Sequence, residues 1–592
     1  MSICWRSSHR RRSSDGQQSG PVRLLWQIPL ARPPVAAFFL IAFFLLFLFL
    51  ASYNLGLPGL HYDEAKEAGL NAMELLTGAP VTVFRRASVS LSGVQLPLMV
   101  QDYIGALNVY LALPLLWLTG IGVPNLRALA ILTALAALLL LERTVSEWIC
   151  LCRADQGALR RRAPLSLAGV IAGALLSVSP SFIFWSRQGI FVTNIMQPLT
   201  LACIWQGVRW LRLGRRRSLL LSAFWGGLAL YAKVQAVWLV GPLGLLAGGW
   251  WLWQQRTTPP DAAETQAYAP ITILLLVGAL GAFMLPLLPL ILFNVQTGGL
   301  WSVLSRNAQT SYYGVNNADW VGNLAVRWQQ WGQMLRGDHF WYLGGVYGNV
   351  LAPWLWGVFI GSGLWRWPKV LVGPLLLLLA AFGLSLFTIS DLFITHFALL
   401  QPVAYGVAGV AGAQWLHSSV TLREQQGKDA KFWLYGRRGI VILLLLVWMV
   451  LDVTATVRYH GALNRSGGLA DHSDASYHLA YYLRYNGLGA PIALDWGIDA
   501  PVRFLSQGSV RPIEIFGYDS VAEPDANFKE RLALFLANPD NVYLLRAEAQ
   551  TVFRGRRQLF LDAVAEQART AVLVQTFAQR DGTPLFEVWR AP

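Results

Sequence analysis

Two adjacent carboxylates, Asp63 and Glu64, are the residues of this sequence best suited to chemistry. They lie in "LGLPGLHYDEAKEAG" (55–69) and are the first charged residues after Arg32, at the end of a long apolar segment. An aspartate with the usual pKa of about 3.9 is ionised at neutral pH and can take a proton from an attacking hydroxyl group. The pair could instead open a helix, because "DEAKEAGLNAMELLTG" has helical spacing and ends in a glycine. The residues alone leave both interpretations open.

Several isolated cations could bind an anionic group close to the membrane surface. Arg187, in "WSRQG", and Lys233, which interrupts an apolar stretch, both fall at predicted outer ends of membrane spans. Charges in such places are costly and usually face a cavity or a partner, although long basic side chains also reach the interface by snorkelling. Further candidates to bind a phosphate are Arg127, Arg306 and the pair Arg85–Arg86.

Sequence motifs for a cofactor or a metal ion are missing. The chain has no GxGxxG, P-loop or nucleophile elbow and no zinc-ligand spacing. Its four cysteines (Cys4, Cys150, Cys152 and Cys203) are not placed to form an extracytoplasmic disulfide or a zinc site. The acids predicted outside the membrane before residue 458 show no spacing of a recognised ligand set. We therefore expect no cofactor and chemistry that does not depend on a metal ion.

The composition indicates that membrane-spanning helices position these residues. Of 592 residues, 55% are hydrophobic and 13% are charged, whereas an average soluble domain has about 25% charged residues. The 26 tryptophans favour membrane–water interfaces. The net charge of +15 comes mostly from short basic clusters between apolar runs, which is typical of membrane orientation and argues against a nucleic-acid partner. We predict an α-helical polytopic membrane protein.

The apolar segments predict eleven transmembrane helices. Residues 1–32 are basic and predict a disordered cytosolic tail, so the first span carries Asp63 and Glu64 to the extracytoplasmic side. The other basic loops, at 153–162, 209–217, 366–369 and 423–438, are then cytosolic. The predicted spans lie near residues 34–52, 126–148, 165–184, 190–208, 218–232, 235–253, 270–293, 349–365, 370–388, 396–416 and 439–457.

Three parts of the chain are predicted to lie outside the membrane. Two are segments of the transmembrane domain (33–457), at 53–125 and 294–348. Within the first, residues 96–122 are long enough to span, but Asp102 and the aromatic residues favour a helix in the outer interface or a re-entrant one. The third part is 458–592, where alternating helical and strand-like stretches predict a small α/β domain. We expect a multi-pass plasma-membrane protein with a cytosolic N-terminus and an extracytoplasmic C-terminal domain.

Five segments, in order, resemble those of the GT-C glycosyltransferases, most closely the branch of the protein O-mannosyltransferases and the lipid A aminoarabinose transferases. The acidic doublet after the first span resembles the Asp-Glu signature of that fold. The others are "RALAILTALAALLLL" (127–141), "SPSFIFWSRQGIFVTN" (179–194), "GGLALYAKVQAVWLVGP" (226–242) and "HFALLQPVAYGVAG" (396–409). The resemblance extends over most of residues 34–457 and depends on their order and spacing. It implies a GT-C fold with about 11 transmembrane helices.

The resemblance also implies an inverting glycosyl transfer from a polyprenyl-phosphate sugar to a hydroxyl acceptor on the extracytoplasmic face. Asp63 matches the base of the family, and Glu64 would orient it or contact the acceptor. A lipid phosphate is already a competent leaving group, so one carboxylate base suffices. The donor phosphate requires cations at membrane depth, and Arg187, Lys233 and Arg306 are the candidates to bind it.

Three further residues are assigned to substrate binding at positions that depart from the family pattern. Asn194 stands where the family has an acid, so that a hydrogen-bonding role survives. His396 stands where a late motif has arginine, and it could donate to phosphate or sugar. Asp102 lies in "QDYIGALNVY" (101–110), where part of the branch has a basic residue; we expect it to cap or line the site. A retaining enzyme would need it as a second carboxylate.

A transporter or flippase of lipid-linked sugars is the alternative function. Transporters often contain internal repeats and helices broken at mid-membrane. No repeat is evident here, and the candidate charges concentrate at one membrane face. The partners expected for an enzyme are a polyprenyl-phosphate-linked sugar, a hydroxyl acceptor on a protein, lipid or glycan, and membrane lipids.

Overall fold

The computed structural model describes most of the chain as a helical bundle followed by a unit of short helices and strands. The described residues are 33–152, 163–189, 193–257, 272–417, 428–518 and 520–592. The predicted disordered tail, 1–32, lies outside them, as do the predicted cytosolic loop 153–162 and residues 423–427 of the loop 423–438.

A short helix built from three segments carries the acidic pair. It consists of α2 (Tyr62–Glu64), a π-helical turn (Ala65–Gly69) and α3 (Leu70–Thr77), and it ends at Gly78, whose φ of 70° suits glycine. We call residues 62–77 the site helix. The other helices of the first half are α1 (Pro33–Ser52), α4 (Leu107–Thr119), α5 (Val123–Cys152), α6 (Leu167–Val178), α7 (Pro180–Gln188), α8 (Thr193–Leu213), α9 (Arg216–Ala232) and α10 (Val237–Thr257).

The second half of the bundle continues in the same way. Its helices are α11 (Ile273–Met284), α12 (Leu288–Thr297), α13 (Gly299–Arg306), α14 (Trp320–Arg336), α15 (Ala352–Arg366), α16 (Pro368–Leu384), α17 (Gln401–His417) and α18 (Lys428–Ser466). Short 3₁₀ turns, among them Val234–Ala236, Leu285–Leu287 and Ile394–Leu399, join some of them.

Each of the eleven predicted spans coincides with one helix or with two successive helices, which confirms the helical, membrane-type fold. By length and apolar composition, five of the described helices can cross a membrane, or six if α6 and α7, which are bent by 67°, form one broken span. Pro180 at the start of α7 explains the break, since proline cannot continue a preceding helix. The total of eleven spans stays a prediction.

The ambiguous segment 96–122 is divided by strands. Two hairpins, β1–β2 (Ser88–Leu91 with Val94–Pro97) and β3–β4 (Met99–Gln101 with Ile104–Gly105), precede α4. Only the 13 residues of α4 are helical, which gives a length of about 20 Å at 1.5 Å per residue. That is short for a hydrocarbon core of about 30 Å, which supports a segment that does not span the membrane. Its placement at the outer surface stays a prediction.

The chain after the last bundle helix forms a five-stranded mixed sheet covered by short helices. The strands β5 (Ile492–Ala493), β6 (Ile513–Glu514), β7 (Val542–Arg546), β8 (Val572–Ala578) and β9 (Pro584–Arg590) take the order β6-β5-β7-β9-β8. The β6-β5-β7 pairs are parallel and the β7-β9-β8 pairs antiparallel. The helices are α19 (Ala475–Tyr485), α20 (Asp499–Leu505), α21 (Phe528–Leu536) and α22 (Arg556–Glu566). We call residues 470–592 the C-terminal unit.

The C-terminal unit packs directly on the loop that leads into the site helix. The Tyr477 hydroxyl donates to the Gly56 carbonyl at 2.7 Å. A Cβ on Gly59 would lie 2.1 Å from the carbonyl oxygen of Ser473, so only glycine allows this approach. On the site helix, the Gly69 Cα similarly faces the Phe504 ring. The entry to the site helix is therefore fixed from two sides, by the bundle and by the C-terminal unit.

Candidate functional site

Asp63 lies in the first turn of the site helix and is almost completely buried, with 8% of its surface exposed. His61 caps this turn, because its Nδ1 accepts a hydrogen bond from the Asp63 backbone N–H at 3.2 Å. The same nitrogen is 3.8 Å from Asp63 Oδ2. The His61 ring stacks on His472 of the C-terminal unit, with ring centroids 4.5 Å apart. The backbone that carries the predicted base is thus held by both parts of the molecule.

The π-helical turn that follows Asp63 directs successive charged side chains to different neighbours. Glu64 pairs with Arg127, and Lys66 lies over the Tyr62 ring at 5.2 Å. Glu67, only 1% exposed, is the carboxylate whose charge acts most strongly on Lys233, and Asp63 is the second. π-Helical turns inside α-helices are frequent at functional sites. The charges of two carboxylates of the site helix, Glu67 and Asp63, thus act on one ammonium group, that of Lys233.

Glu64 forms a bidentate ion pair with Arg127 in which both side chains are buried. Arg127 Nε lies 2.6 Å from Glu64 Oε1, and Nη2 lies 2.9 Å from Oε2. The guanidinium also donates to the carbonyl oxygens of Leu55 at 2.9 Å and Gly59 at 3.3 Å. Arg127, a candidate to bind phosphate on sequence grounds, is therefore used to fix the loop before Asp63. Of the two roles predicted for Glu64, this geometry supports the orienting one.

Arg187 is a second clamp on the same loop. Its Nη2 donates to the carbonyl oxygens of Asn54 and Leu57, both at 2.9 Å, and its Nη1 lies 3.2 Å from Nδ1 of His460. The side chain is fully buried. The hydrogen bonds of Arg187 thus go to groups of the protein itself. Its role in substrate binding stays a prediction.

Lys233 reaches the site through backbone pairing with the β3–β4 hairpin. It terminates α9, pairs with Ile104 in an isolated antiparallel bridge, and is 2% exposed. The next backbone N–H, that of Val234, donates to the Tyr103 carbonyl at 3.1 Å. Asp63 and Lys233 lie 170 positions apart in the chain, and the charge of Asp63 acts on Lys233. Their roles as base and phosphate ligand stay predictions.

Two tyrosines complete the surroundings of Asp63. The charge of Asp63 acts on the phenols of Tyr103 and Tyr313. Burial, followed by the negative charges of Asp63 and Glu67, raises the pKa of Tyr103. Burial, followed by the charge of Asp63, also raises the pKa of Tyr313. Both hydroxyl groups therefore stay protonated at neutral pH and can donate hydrogen bonds to a bound sugar or phosphate.

His396 lies beside Arg327, an arginine that was not among the residues predicted from the sequence. Arg327, fully buried in α14, has its Nη2 3.4 Å from His396 Nδ1 and donates from Nε to the Ser385 carbonyl at 2.9 Å. The charges of Arg327 and Lys233 both act on His396. A sequence signal for Arg327 existed, since it is an isolated cation inside the aromatic stretch "VRWQQW".

The remaining predicted residues lie at the edge of the site or away from it. Asp102 Oδ2 is 2.8 Å from Arg85 Nη2; burial raises the pKa of this carboxyl, and Arg85 opposes that shift. Arg306 is exposed at the end of α13, and its charge reaches Asp102. Asn194 donates to Thr133 Oγ1 at 3.3 Å inside the bundle. Asp102 and Arg306 form a rim near Tyr103, whereas no contact links Asn194 to Asp63 among the described residues.

Within the described ranges, no group of three or more His, Cys, Asp or Glu side chains is placed to hold a metal ion. The expectation of metal-independent chemistry is not tested by this finding and stays a prediction.

Comparison with known proteins reveals likeness of structure without likeness of sequence. No protein-family model matches the chain, and no curated protein sequence matches it. Two crystal structures of ArnT from Cupriavidus metallidurans, one apo and one bound to undecaprenyl phosphate, each match with a TM-score of 0.55 at 11% identity. Each match covers 94% of this chain and 98% of the ArnT chain.

An oligosaccharyltransferase, AglB from Archaeoglobus fulgidus in complex with an inhibitory peptide and a dolichol-phosphate, matches with a TM-score of 0.46 at 13% identity. That match covers 89% of this chain and 71% of AglB. The likeness to ArnT, which extends over nearly the whole of both chains, confirms the predicted GT-C fold.

Proposed function

We propose that this protein, which folds as ArnT does, is an integral membrane glycosyltransferase that moves a sugar from a polyprenyl-phosphate donor to a hydroxyl acceptor on the extracytoplasmic face. The observation that carries the proposal is that Asp63, in the segment after the first apolar helix, and Lys233 are both buried and that the Asp63 charge acts on the lysine. An ionised carboxylate next to a cation provides a base and a phosphate ligand in one place. One of the ArnT structures with this fold holds undecaprenyl phosphate.

In the proposed reaction the acceptor oxygen attacks the anomeric carbon of the donor sugar. The acceptor O–H bond breaks as its proton passes to the Asp63 carboxylate, and the C–O bond to the lipid phosphate breaks with its electron pair leaving on the phosphate. A single displacement of this kind inverts the anomeric configuration. The ammonium of Lys233 stabilises the charge of the leaving phosphate, and the Tyr103 and Tyr313 hydroxyls donate hydrogen bonds nearby.

The predicted helpers of Asp63 divide into positioning residues and substrate contacts. Glu64 acts through Arg127, and Arg187 acts through the carbonyl oxygens of residues 54 and 57, so all three position the loop that ends at Asp63.

The proposed contacts to the donor are Lys233 and His396, and Arg327 contacts the imidazole of His396. Asp102 and Arg306 are proposed to line the rim, while Asn194 has no support from its surroundings as a direct contact.

The test is donor consumption by the purified full-length protein. A panel of radiolabelled polyprenyl-phosphate sugars is incubated with the wild type, Asp63→Asn and, as a matched control, Glu548→Gln, which changes an exposed carboxylate far along the chain. We expect one donor to be consumed by the wild type and the control but not by Asp63→Asn. Movement of an intact lipid-linked sugar across the membrane, equal in all three proteins, would support the transporter instead.

A further inference from the structure

A second polar cluster lies on the other side of the site helix, between that helix and the C-terminal unit. Tyr62 Oη is 3.3 Å from the hydroxyl of Tyr518, which donates to Glu514 Oε2 at 3.3 Å. The hydroxyl of Tyr312 donates to the backbone carbonyl of Tyr518. Asp499, at the start of α20, lies with Oδ2 3.4 Å from Arg503 Nη1. The extracytoplasmic loop, the site helix and the C-terminal unit therefore meet at this cluster.

Lys66 connects this cluster to the site that holds Asp63. It belongs to the same helical turn as Asp63, and its charge acts on Asp102, Asp499 and Glu514. Among the described residues its ammonium forms no ion pair within 4 Å of a carboxylate and has the Tyr62 ring as its recorded contact. The charge of Lys66 thus acts on three carboxylates, and none of them forms an ion pair with its ammonium within 4 Å in the described part of the chain.

The three carboxylates share one feature of their hydrogen bonding. In each of them one oxygen is bonded: Asp102 to Arg85, Asp499 to Arg503 and Glu514 to Tyr518. The second oxygen (Asp102 Oδ1, Asp499 Oδ1 and Glu514 Oε1) is sealed from solvent and accepts no hydrogen bond within the described part of the chain. A buried acceptor without a donor is costly. Three such oxygens around a loosely held lysine indicate that donors of a bound molecule complete the cluster.

The chemistry of the cluster selects the kind of molecule. Unbonded carboxylate oxygens accept hydrogen bonds from hydroxyl groups and repel phosphate or carboxylate groups. The Lys66 ammonium can donate to hydroxyl or ring oxygens of the same molecule. These features fit an uncharged, hydroxyl-rich molecule.

We propose that Lys66, Asp499 and Glu514 form an acceptor subsite for a neutral saccharide, supplied jointly by the site helix and the C-terminal unit. This inference rests on the proposed function, because it gives the hydroxyl acceptor a chemical class and a place beside Asp63. The C-terminal unit then takes part in substrate recognition and does more than cover the bundle.

The subsite predicts a pH dependence of saccharide binding. Burial, followed by the charge of Asp499, raises the pKa of Glu514 to about 7. Lys66, the Tyr518 hydrogen bond and Arg503 lower this pKa but do not cancel the effect of burial. Burial raises the pKa of Asp499 to about 6, helped by Glu74 and opposed by Arg503 and Lys66. Tyr62 also faces Glu514, and burial keeps that phenol protonated by raising its pKa. Protonation below pH 7 removes a hydrogen-bond acceptor, so the Kd for a neutral saccharide should rise as the pH falls from 8 to 5.5.

The experiment measures binding without donor, so that it does not depend on turnover. Full-length protein in nanodiscs is titrated with neutral methyl glycosides and neutral oligosaccharides, their phosphorylated counterparts and an amino sugar, followed by saturation-transfer NMR. We expect a neutral saccharide to bind and its phosphorylated form not to bind. Glu514→Gln should raise the Kd at pH 8 at least tenfold and flatten its pH dependence, whereas Glu523→Gln, an exposed control in the same unit, should leave the Kd within twofold.

Each other outcome overturns the inference. Absence of neutral saccharide binding, preference for the phosphorylated or the amino sugar, or an unchanged Kd in folded Glu514→Gln would each do so. Thermal unfolding of every variant shows whether it is folded, and Lys66→Met provides a second variant if Glu514→Gln is not. Donor consumption measured in parallel separates the two proposals. If the protein cleaves donor but does not bind the saccharide, the acceptor subsite is wrong and the proposed function stands. If it binds the saccharide but cleaves no donor, the proposed function is wrong.

Discussion

The ion pair of Glu64 and Arg127 has structural consequences that an exposed pair would not have. Both side chains are buried, at 2% and 0% exposure, and the arginine also donates hydrogen bonds to two carbonyl groups of the loop. Removing one charge of a buried pair leaves the other uncompensated, which typically costs about 3–5 kcal/mol. Within the acidic doublet, Glu64 therefore has a structural role, and Asp63 is the carboxylate proposed for the chemistry.

We predict that Glu64→Gln lowers the thermal stability of the protein by several degrees and lowers activity in parallel. Lys529→Gln is the matched control, because Lys529 and Glu566 form an ion pair of 2.7 Å whose side chains are more than half exposed. Exposed pairs contribute roughly 0–1 kcal/mol. Equal melting temperatures for Glu64→Gln and the wild type would show that the buried pair does not hold the loop.

Lys233 is the cation proposed to bind the donor phosphate, and the charge of Asp63 acts on it. If it binds the donor phosphate, Lys233→Met should lower kcat/KM for donor by about 100-fold, which corresponds to roughly 2.7 kcal/mol of transition-state stabilisation. Lys233→Arg should restore part of this loss, since it keeps the charge. The measurement is steady-state kinetics with varied donor. A kcat/KM unchanged in Lys233→Met would exclude Lys233 as a phosphate ligand.

At the scale of elements, the loop before the site helix depends on two glycines that differ in their surroundings. A Cβ on Gly59 would meet the Ser473 carbonyl oxygen, whereas a Cβ on Gly56 would meet no atom within 4 Å. Gly59→Ala should therefore separate the loop from the C-terminal unit, at a cost of about 1–3 kcal/mol typical of overpacking. Gly56→Ala should be tolerated. Thermal unfolding and donor consumption of the two variants check this, and similar behaviour of both would contradict it.

The sequence predicts elements better than contacts. Long apolar runs are visible directly in the sequence, so each predicted span coincides with one helix or with two successive helices. The π-helical turn at 65–69, by contrast, has no local signal in "AKEAG" and directs Glu67 towards Lys233 through packing with other elements. The roles of Arg127 and Arg187 were not predictable for the same reason. Their partners are carbonyl groups of a loop 68 to 133 positions away.

The site residues show the same division. Asp63, Lys233 and His396 could be proposed from isolated charges at the ends of apolar segments together with the resemblance. Arg327 was missed because it lies in an aromatic-rich helix within the segment 294–348, which is predicted as an extracytoplasmic loop. Asp499 and Glu514 were missed because their connection to the site helix depends on how the C-terminal unit docks, which no local pattern encodes.

For the whole molecule, the account requires that the site helix and the C-terminal unit lie on the same side of the membrane, since they share hydrogen bonds. With the native cysteines replaced, a membrane-impermeant maleimide should label Glu548→Cys in intact cells and should not label Arg366→Cys until the cells are opened. Both positions are exposed on the protein. The opposite pattern of labelling would invert the predicted topology and place Asp63 in the cytosol.

The most direct test of the central claim is the turnover of Asp63→Asn compared with its affinity for donor. General-base catalysis typically contributes about 10²–10⁴-fold, and an amide of nearly the same shape leaves the surrounding contacts in place. The account predicts that kcat falls by at least about 100-fold, while the Kd for the polyprenyl-phosphate donor stays within about threefold of the wild type. A kcat within tenfold of the wild type in a folded, donor-binding variant would show that Asp63 is not the base.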